Sequence, residues 1–90
     1  MADAEKIKGS IAEIAQRRNN VTLQEIEWVV RQLRRYYGNV ASRDARHGKL
    51  FRVGSQRFMV NAHHPGSKQV KPYSVDDFLE AMTELGWYED

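Results

Sequence analysis

The sequence predicts an α+β two-layer sandwich with the element order α-α-β-β-β-α, in which helices cover one face of an antiparallel three-stranded sheet. Three observations support this fold class. Apolar residues recur with a helical period from Asp3 to Tyr37 and again after Pro72, and a strand-like period separates these regions from Val40 to His64. Short turn-forming segments divide the strand-like region, which predicts hairpins between successive strands. Amphipathic helices and a half-apolar sheet then bury their apolar faces against each other.

The chain has 90 residues, which is enough for one domain with one modest core. We predict a single domain over residues 1–90, made of an N-terminal helical extension over 1–20 and a core unit over 21–87. Cysteine is absent, which excludes disulfides and thiolate metal sites. No apolar run approaches the roughly 18 residues of a membrane span, and the N-terminus lacks a signal-peptide pattern, so we expect a cytoplasmic protein without membrane contact. The oligomeric state does not follow from the sequence.

The first helix is predicted from about Asp3 to Arg18, and Asn19-Asn20 is expected to end it. One narrow stripe of apolar residues supports this helix: Ala4, Ile7, Ile11, Ile14 and Ala15. Gly9 is tolerated within it at a small cost in helix propensity.

The second helix begins at a capping box, in which the Thr22 hydroxyl and the Glu25 carboxylate each accept a hydrogen bond from the other residue's backbone amide. Gly38 suits the position just after its end. The apolar face of this helix is broad: Leu23, Ile26, Val29, Val30, Leu33 and Tyr37. Trp28 lies off that face, and we expect it to cover the first helix, with a role as a partner anchor as the alternative.

Strands are predicted over residues 40–44, 49–53 and 57–62, with turns at His47-Gly48 and over residues 54–56. Side chains alternate between the two faces of a strand. In the third strand this places one set on the helices, Phe58, Val60 and Ala62, and the other set on a wetter face, Arg57, Met59 and Asn61. A polar loop over residues 63–69 follows.

The last helix is predicted to follow Pro72, with Ser74 as its N-cap, Asp77 at the third position and Gly86 at its end. Its apolar stripe contains Val75, Phe78, Leu79, Met82 and Leu85. Three residues from different elements are expected to meet in the core: Leu33, Val60 and Phe78.

Charge is divided sharply along the chain. Residues 31–71 include ten basic residues and one acid, Asp44, whereas the rest of the chain has four basic residues and eleven acids. Such segregation is typical of a protein that presents a cationic face to a polyanion. We therefore predict RNA binding by the ten cations: Arg31, Arg34, Arg35, Arg43, Arg46, Lys49, Arg52, Arg57, Lys68 and Lys71. For the arginines of the second helix, a solvated helix surface is the alternative. A DNA-reading helix is disfavoured, since the apolar stripe of the second helix is needed for packing.

Four aromatic residues of the chain are candidates for stacking on bases: Tyr36, Tyr37, Phe51 and Phe58. Their helical or strand phase instead favours core packing for Tyr37, Phe51 and Phe58.

Histidine is the residue type that fits metal-independent RNA cleavage, because its pKa near 6.5 lets it act as a base or an acid at neutral pH. His47 is the candidate, since Arg46 and Lys49 flank it and are able to hold a phosphate. The alternative is an exposed turn histidine without a catalytic role. His63 and His64 are expected to point opposite ways on an extended segment, and no third ligand is suitably spaced, so we predict neither a metal nor another cofactor. A phosphate contact for one of these two remains open.

Two segments of the chain resemble a known family. Residues 18–26 lead into the amphipathic second helix, and residues 71–79, Lys-Pro-Tyr-Ser-Val-Asp-Asp-Phe-Leu, open the last helix after the strands. Over about residues 18 to 87 the chain resembles the HicA-type toxins of bacterial toxin–antitoxin pairs. The resemblance implies a double-stranded-RNA-binding-domain-like fold, ribosome-independent cleavage of mRNA by a metal-independent endoribonuclease (a hydrolase), and a HicB-type antitoxin as partner.

The HicA family carries its catalytic histidine in a Gly-Ser-His element at the start of the second strand. Alignment on residues 50–52 places residues 45–48 over that element, with His47 one position early and Gly48 at the position of the histidine. The Gly-Ser-Gln of residues 54–56 has glutamine instead and lies after the strand. The resemblance implies His47 as the catalytic residue. The alternative is a non-catalytic RNA-binding or protein-interaction module on the same fold.

Overall fold

A computed structural model describes residues 3–64 and 66–89. The elements are α1 (Ala4–Gln16), α2 (Leu23–Leu33), β1 (Val40–Ala45), β2 (Gly48–Val53), β3 (Gln56–Asn61) and α3 (Pro72–Glu84). The strands form an antiparallel sheet in the order β1-β2-β3. Helix α3 packs along β3, α2 packs on β1 and β2, and α1 packs on the other two helices. The predicted element order and α+β class are confirmed.

The core lies on one side of the sheet, because alternate residues of the strands point towards the helices. Phe51 of β2 and Phe58 of β3 stack with ring centroids 5.4 Å apart, and the ring of Phe78 meets Phe58 edge-on at 5.7 Å. Leu33, Val60 and Phe78 are all fully buried in this one cluster. The prediction that these three residues share the core is confirmed. No helix within residues 3–64 and 66–89 is long and apolar enough to cross a membrane.

Helix α1 belongs to the same core as the rest of the chain. Its three isoleucines are buried in the common apolar cluster: Ile7, Ile11 and Ile14. Asp3 caps its first turn by accepting a 2.9 Å hydrogen bond from the Lys6 amide. Just beyond its end, the Arg18 guanidinium donates two 2.6 Å hydrogen bonds to the Asp76 carboxylate of α3. The residues predicted as an N-terminal extension therefore form one wall of the hydrophobic core.

The predicted capping box of α2 is present. The Thr22 hydroxyl accepts from the Glu25 amide at 3.3 Å, and the Glu25 carboxylate accepts from the Thr22 amide at 3.2 Å. The predicted C-terminal end of α2, at Tyr37, is wrong, because the helix ends at Leu33. The amides of Tyr36 and Tyr37 both donate to the Leu33 carbonyl, which closes the helix in a tight turn. Tyr37 then accepts a 2.8 Å hydrogen bond from the Trp87 indole through its hydroxyl.

The predicted start of α3 was wrong. The helix begins at Pro72, with Lys71 as a cap residue that makes no side-chain capping bond. Proline suits this first position because the amide it lacks has no partner within the helix. Ser74 is therefore inside the helix and fully buried, where its hydroxyl accepts a 2.9 Å hydrogen bond from the Asn61 amide. This bond to β3 replaces the capping role that the sequence suggested.

The predicted end of α3 at Gly86 is confirmed. Gly86 has a φ of +84°, a left-handed conformation that glycine adopts without strain. Its amide donates to the Thr83 carbonyl at 3.0 Å, and the Trp87 amide donates to the Met82 carbonyl at 2.8 Å. These two bonds form a Schellman motif. The motif turns the chain back so that Trp87 reaches Tyr37.

We expect Phe78→Ala to destabilise the fold by about 3–5 kcal/mol, because it removes a fully buried ring at the junction of helix and sheet. That loss is a large share of the roughly 5–15 kcal/mol that stabilises a small domain. Urea unfolding followed by circular dichroism measures it, and exposed Glu80→Ala on the same helix should change stability by less than about 0.5 kcal/mol. An unchanged unfolding midpoint for Phe78→Ala would refute the packing described for this ring.

Acid stability should depend on Glu25. The hydrogen bond from the Arg17 guanidinium lowers the pKa of Glu25 below its usual 4.5, the Thr22 amide and hydroxyl add to this, and partial burial opposes it. A group whose pKa is depressed by folding stabilises the protein fully above its unfolded pKa, and this stabilisation is lost as the pH falls through the folded pKa. Glu25→Gln should therefore lower the melting temperature at pH 7 and reduce the fall in melting temperature below about pH 4.5.

Thermal melts of wild type and Glu25→Gln between about pH 7 and pH 2 test this expectation. Glu84→Gln, at an exposed position of α3, controls for the loss of one carboxylate. Parallel melting curves for wild type and Glu25→Gln across the acid range would exclude a stabilising role for the Arg17–Glu25 pair.

Candidate nucleic-acid interface

The outer face of the sheet, opposite the helices, is the most strongly cationic surface that the strands build. Arg43 of β1, Arg52 of β2 and Arg57 of β3 all point to it and are exposed. Leu50 and Met59 lie among them, and Met59 is 41% exposed. We call these five residues the arginine face. The other strand residues on this side are small or neutral: Ala41, Ala45, Gly48 and Asn61.

The strand register brings the three arginines close together. Arg52 is the direct cross-strand partner of Arg57, and Arg43 is paired with Leu50, which places it diagonally from Arg52. Side chains of directly opposed strand residues lie about 4.5–5.5 Å apart at Cβ. Within residues 3–64 and 66–89, none of the three guanidinium groups takes part in a hydrogen bond or an ion pair. The arginine face therefore carries three uncompensated charges.

One border of the arginine face is acidic. Arg57 lines a shallow depression at the junction of β3 and α3, together with Asp77 and Glu80 of α3. Neither carboxylate forms an ion pair with Arg57 among the ion pairs of the described chain. These two acids mark where a bound anion would meet repulsion beside Arg57.

The structure does not bring the ten predicted cations onto one surface. Arg31 and Arg34 lie at the end of α2 and line a narrow cleft against β1, and Arg35 is exposed in the turn that follows. Arg46 lies in the β1–β2 turn, and Lys68 is exposed in the loop before α3. The charge count could not reveal this division, because it contains no information on which face of the fold each residue occupies.

Lys49 lies on the helix side of the sheet, away from the arginine face. Its ammonium group is 2.9 Å from the Glu27 carboxylate of α2 and 3.9 Å from the Asp44 carboxylate of β1. Strand alternation sends it to this side, and Glu27, which is distant in sequence, neutralises it. The charge that was expected to hold a phosphate beside His47 is therefore paired with carboxylates.

His47 is exposed in the turn between β1 and β2. Its carbonyl accepts a 2.7 Å hydrogen bond from the Ala62 amide, which fastens the turn to the end of β3. At the next position a side chain is impossible, because a Cβ on Gly48 would overlap the Val60 carbonyl oxygen and lie 2.8 Å from the Asn61 Cα. The close approach of β2 and β3 therefore requires glycine at position 48.

The other two histidines are exposed in the loop that follows β3. Their ring centroids lie 6.0 Å apart, because the chain bends here and the His63 amide donates to the Gln69 carbonyl at 2.8 Å. The expectation that His63 and His64 point opposite ways on an extended segment is corrected by this bend. No group of three or more histidines, aspartates or glutamates in residues 3–64 and 66–89 is placed to hold a metal ion.

The aromatic residues divide as their phase predicts. Phe51 and Phe58 are in the core, and Tyr37 is half-buried against it. Tyr36 is 44% exposed, but it contacts Trp87 edge-on with centroids 4.9 Å apart. It lies in the turn after α2 and not in a strand of the sheet. Tyr36 therefore forms part of the packing at the C-terminal end of α3.

The aromatic residue that sequence reasoning missed is Tyr73, which is 47% exposed at the start of α3. Its hydroxyl accepts a 2.9 Å hydrogen bond from the side-chain amide of Asn61, at the end of β3 on the outer side of the sheet. The Lys71 ammonium lies 5.7 Å from the centre of the Tyr73 ring. Lys71 and Tyr73 both belong to the Lys-Pro-Tyr segment, which in the sequence indicates only the resemblance to HicA-type toxins.

A groove of about 490 Å³ lies between α1 and α2. Trp28 lines this groove together with residues of α1. Its charged lining residues are balanced, with two cations and two acids: Lys6, Arg17, Glu13 and Glu25. The groove therefore has no preference for a polyanion, unlike the arginine face.

Comparison of the chain with models of protein families, with curated proteins and with solved structures found no match. Function is therefore inferred from the arginine face and from the residues at its border.

Proposed function

We propose that this protein binds RNA in the cytoplasm and that the arginine face is its contact surface. The observation that carries the proposal is the clustering of Arg43, Arg52 and Arg57, without a compensating acid in the strands, on the side of the sheet that the helices leave uncovered. Guanidinium groups bind phosphate through two parallel hydrogen bonds and suit this role better than ammonium groups. Leu50 and Met59 between them offer apolar contact to the sugars and bases.

The opposition of Arg52 and Arg57 supports a ligand-binding role. Like charges directly opposite each other destabilise a sheet. Local departures from the rules of stable packing are typical of functional sites. A phosphate between the two guanidinium groups would remove the repulsion and accept hydrogen bonds from both. Binding of an anionic ligand would therefore explain the Arg52–Arg57 pair, which does not stabilise the fold by itself.

Removing the three arginines should weaken RNA binding steeply. For single strands, log K changes by about 0.7 for each phosphate contact per unit of log salt, so the loss of three contacts should reduce the slope by about 2. At about 0.1 M salt the affinity of Arg43→Gln/Arg52→Gln/Arg57→Gln should fall about 100-fold. Its melting temperature should be equal to that of wild type or higher, because a like-charge contact is relieved.

Fluorescence anisotropy with a labelled oligoribonucleotide, from about 50 to 200 mM salt, measures both affinity and slope. The matched control is Lys6→Gln/Arg31→Gln/Arg34→Gln, which lowers the net charge equally at positions outside the arginine face and includes two cations that the sequence alone assigned to RNA binding. An equal loss of affinity in this control would show that net charge, and not the arginine face, drives binding. Absence of RNA binding by wild type at low salt would refute the proposed function.

We propose in addition that bound RNA is cleaved with His47 as the proton carrier, as the resemblance to HicA-type toxins suggests, and that a HicB-type antitoxin is the partner. The support is positional, since the turn that holds His47 and Arg46 is fastened to the end of β3, beside Asn61. His47→Ala should abolish cleavage and leave RNA affinity and melting temperature nearly unchanged, because an exposed turn residue contributes little to stability.

A gel assay of RNA cleavage, run with and without a chelator, tests the role of His47. Cleavage by wild type should persist in the chelator, and His63→Ala should cleave like wild type. Loss of cleavage in His63→Ala, but not in His47→Ala, would move the catalytic role into the loop after β3. If wild type binds RNA without cleaving it, the protein is a non-catalytic RNA-binding module.

A further inference from the structure

Tyr73 is held at one end of the arginine face by contacts to the end of β3. The Asn61 amide donates to the buried Ser74 hydroxyl at 2.9 Å, and the Asn61 carbonyl accepts from the Lys71 amide at 3.0 Å. Lys71 and Ser74 flank Tyr73 in the sequence, so these two bonds hold the first turn of α3 against β3. The Asn61 side chain then holds the tyrosine hydroxyl at 2.9 Å.

The direction of the Asn61 side chain places the Tyr73 hydroxyl on the outer side of the sheet. Asn61 is two residues beyond Met59 and shares its face, because strand side chains alternate. It pairs with Gly48, which has no side chain to stand between the Tyr73 hydroxyl and the sheet. The tyrosine ring is therefore a surface next to the arginine face, and not a part of the core.

The Tyr73 ring has the features of a stacking platform. It is 47% exposed, although exposed aromatic residues normally gain stability by burial. The Lys71 ammonium, 5.7 Å from the ring centre, is within the range of a cation–π contact and places a positive charge beside the ring. A base stacked on the ring would leave its own phosphate near Lys71 and the following phosphates near the arginines.

We infer that the RNA ligand is single-stranded and that Tyr73 stacks on one of its unpaired bases while the arginine face binds the phosphates beyond it. This inference rests on the proposed function, and it specifies the substrate class. A duplex is disfavoured because its bases are already stacked on each other and do not offer a free face. From Asn61 to Arg57 the strand extends over about 13 Å, so the ligand spans several nucleotides.

The test compares two oligonucleotides of about eight residues, a length within the roughly 4–16 nucleotides that other single-strand-binding folds contact. One is oligouridylate, and the other has the same phosphates but lacks its bases. Wild type should bind the first more tightly by about 5- to 150-fold, the range that one stacked base provides. Tyr73→Ala should lose this preference and keep its affinity for the abasic strand. Tyr73→Phe, which keeps the ring and loses only the bond from Asn61, should retain most of the preference.

The outcomes separate this inference from the proposed function. Equal binding of both oligonucleotides by wild type, or an equal loss of affinity for both in Tyr73→Ala, would overturn the stacking role. Tighter binding of a duplex of the same length would also overturn it. In each of these cases, weaker binding by the triple arginine variant would leave the proposed function intact. If wild type binds none of the oligonucleotides at low salt, both fail. The comparison of oligouridylate with the abasic strand uses only the wild-type protein. It therefore tests the stacking role even if Tyr73→Ala does not fold.

Discussion

The hydrogen bond from the Asn61 backbone amide to the hydroxyl of the buried Ser74 fixes how the last helix meets the sheet. A hydrogen bond within a protein contributes about 0.5–1.5 kcal/mol to stability, so this one favours one position of α3 along β3 over its neighbours. In that position of α3, Phe78 contacts Phe58 in the core. Asp76, two residues earlier in the helix, pairs with Arg18. On the opposite side it sets Tyr73 at the border of the arginine face. The core and the candidate site thus share one anchoring contact.

The distribution of acids explains why the outer face of the sheet is strongly cationic. On the helix side, carboxylates of other elements neutralise the cations Arg17, Arg18 and Lys49. The hydrogen bond from Arg18 lowers the pKa of Asp76 below its usual value, which favours the charged form of this pair. The outer side of the strands has no acid, and its arginines stay unpaired. Although the net charge is only +2, the unpaired positive charges of the strands therefore lie on the outer side of the sheet, and Arg17, Arg18 and Lys49 on the helix side form ion pairs.

Most of the fold follows from local rules, and most of the site does not. The capping box at Thr22 and the glycine stop at Gly86 could be predicted, because each depends on a few neighbouring residues. The start of α3 could not, because the Ser74 hydroxyl is used by a strand that is distant in sequence. Likewise, the pairing of Lys49 with Glu27 and the closeness of Arg52 and Arg57 are set by the tertiary structure and the strand register. Charge counting identified the basic segment but not the face on which its charges meet.

The position of β1 at the edge of the sheet has a consequence for the protein in concentrated solution. An edge strand offers free backbone donors and acceptors that a second sheet is able to extend. On β1 this edge carries Arg43 on one side and Asp44, whose side chain is 93% exposed, on the other. Charged residues at an edge oppose pairing between molecules, since continuing the sheet would bring two cationic faces side by side. The charge of Arg43 thus opposes edge-to-edge pairing of two sheets, and salt is expected to weaken this opposition.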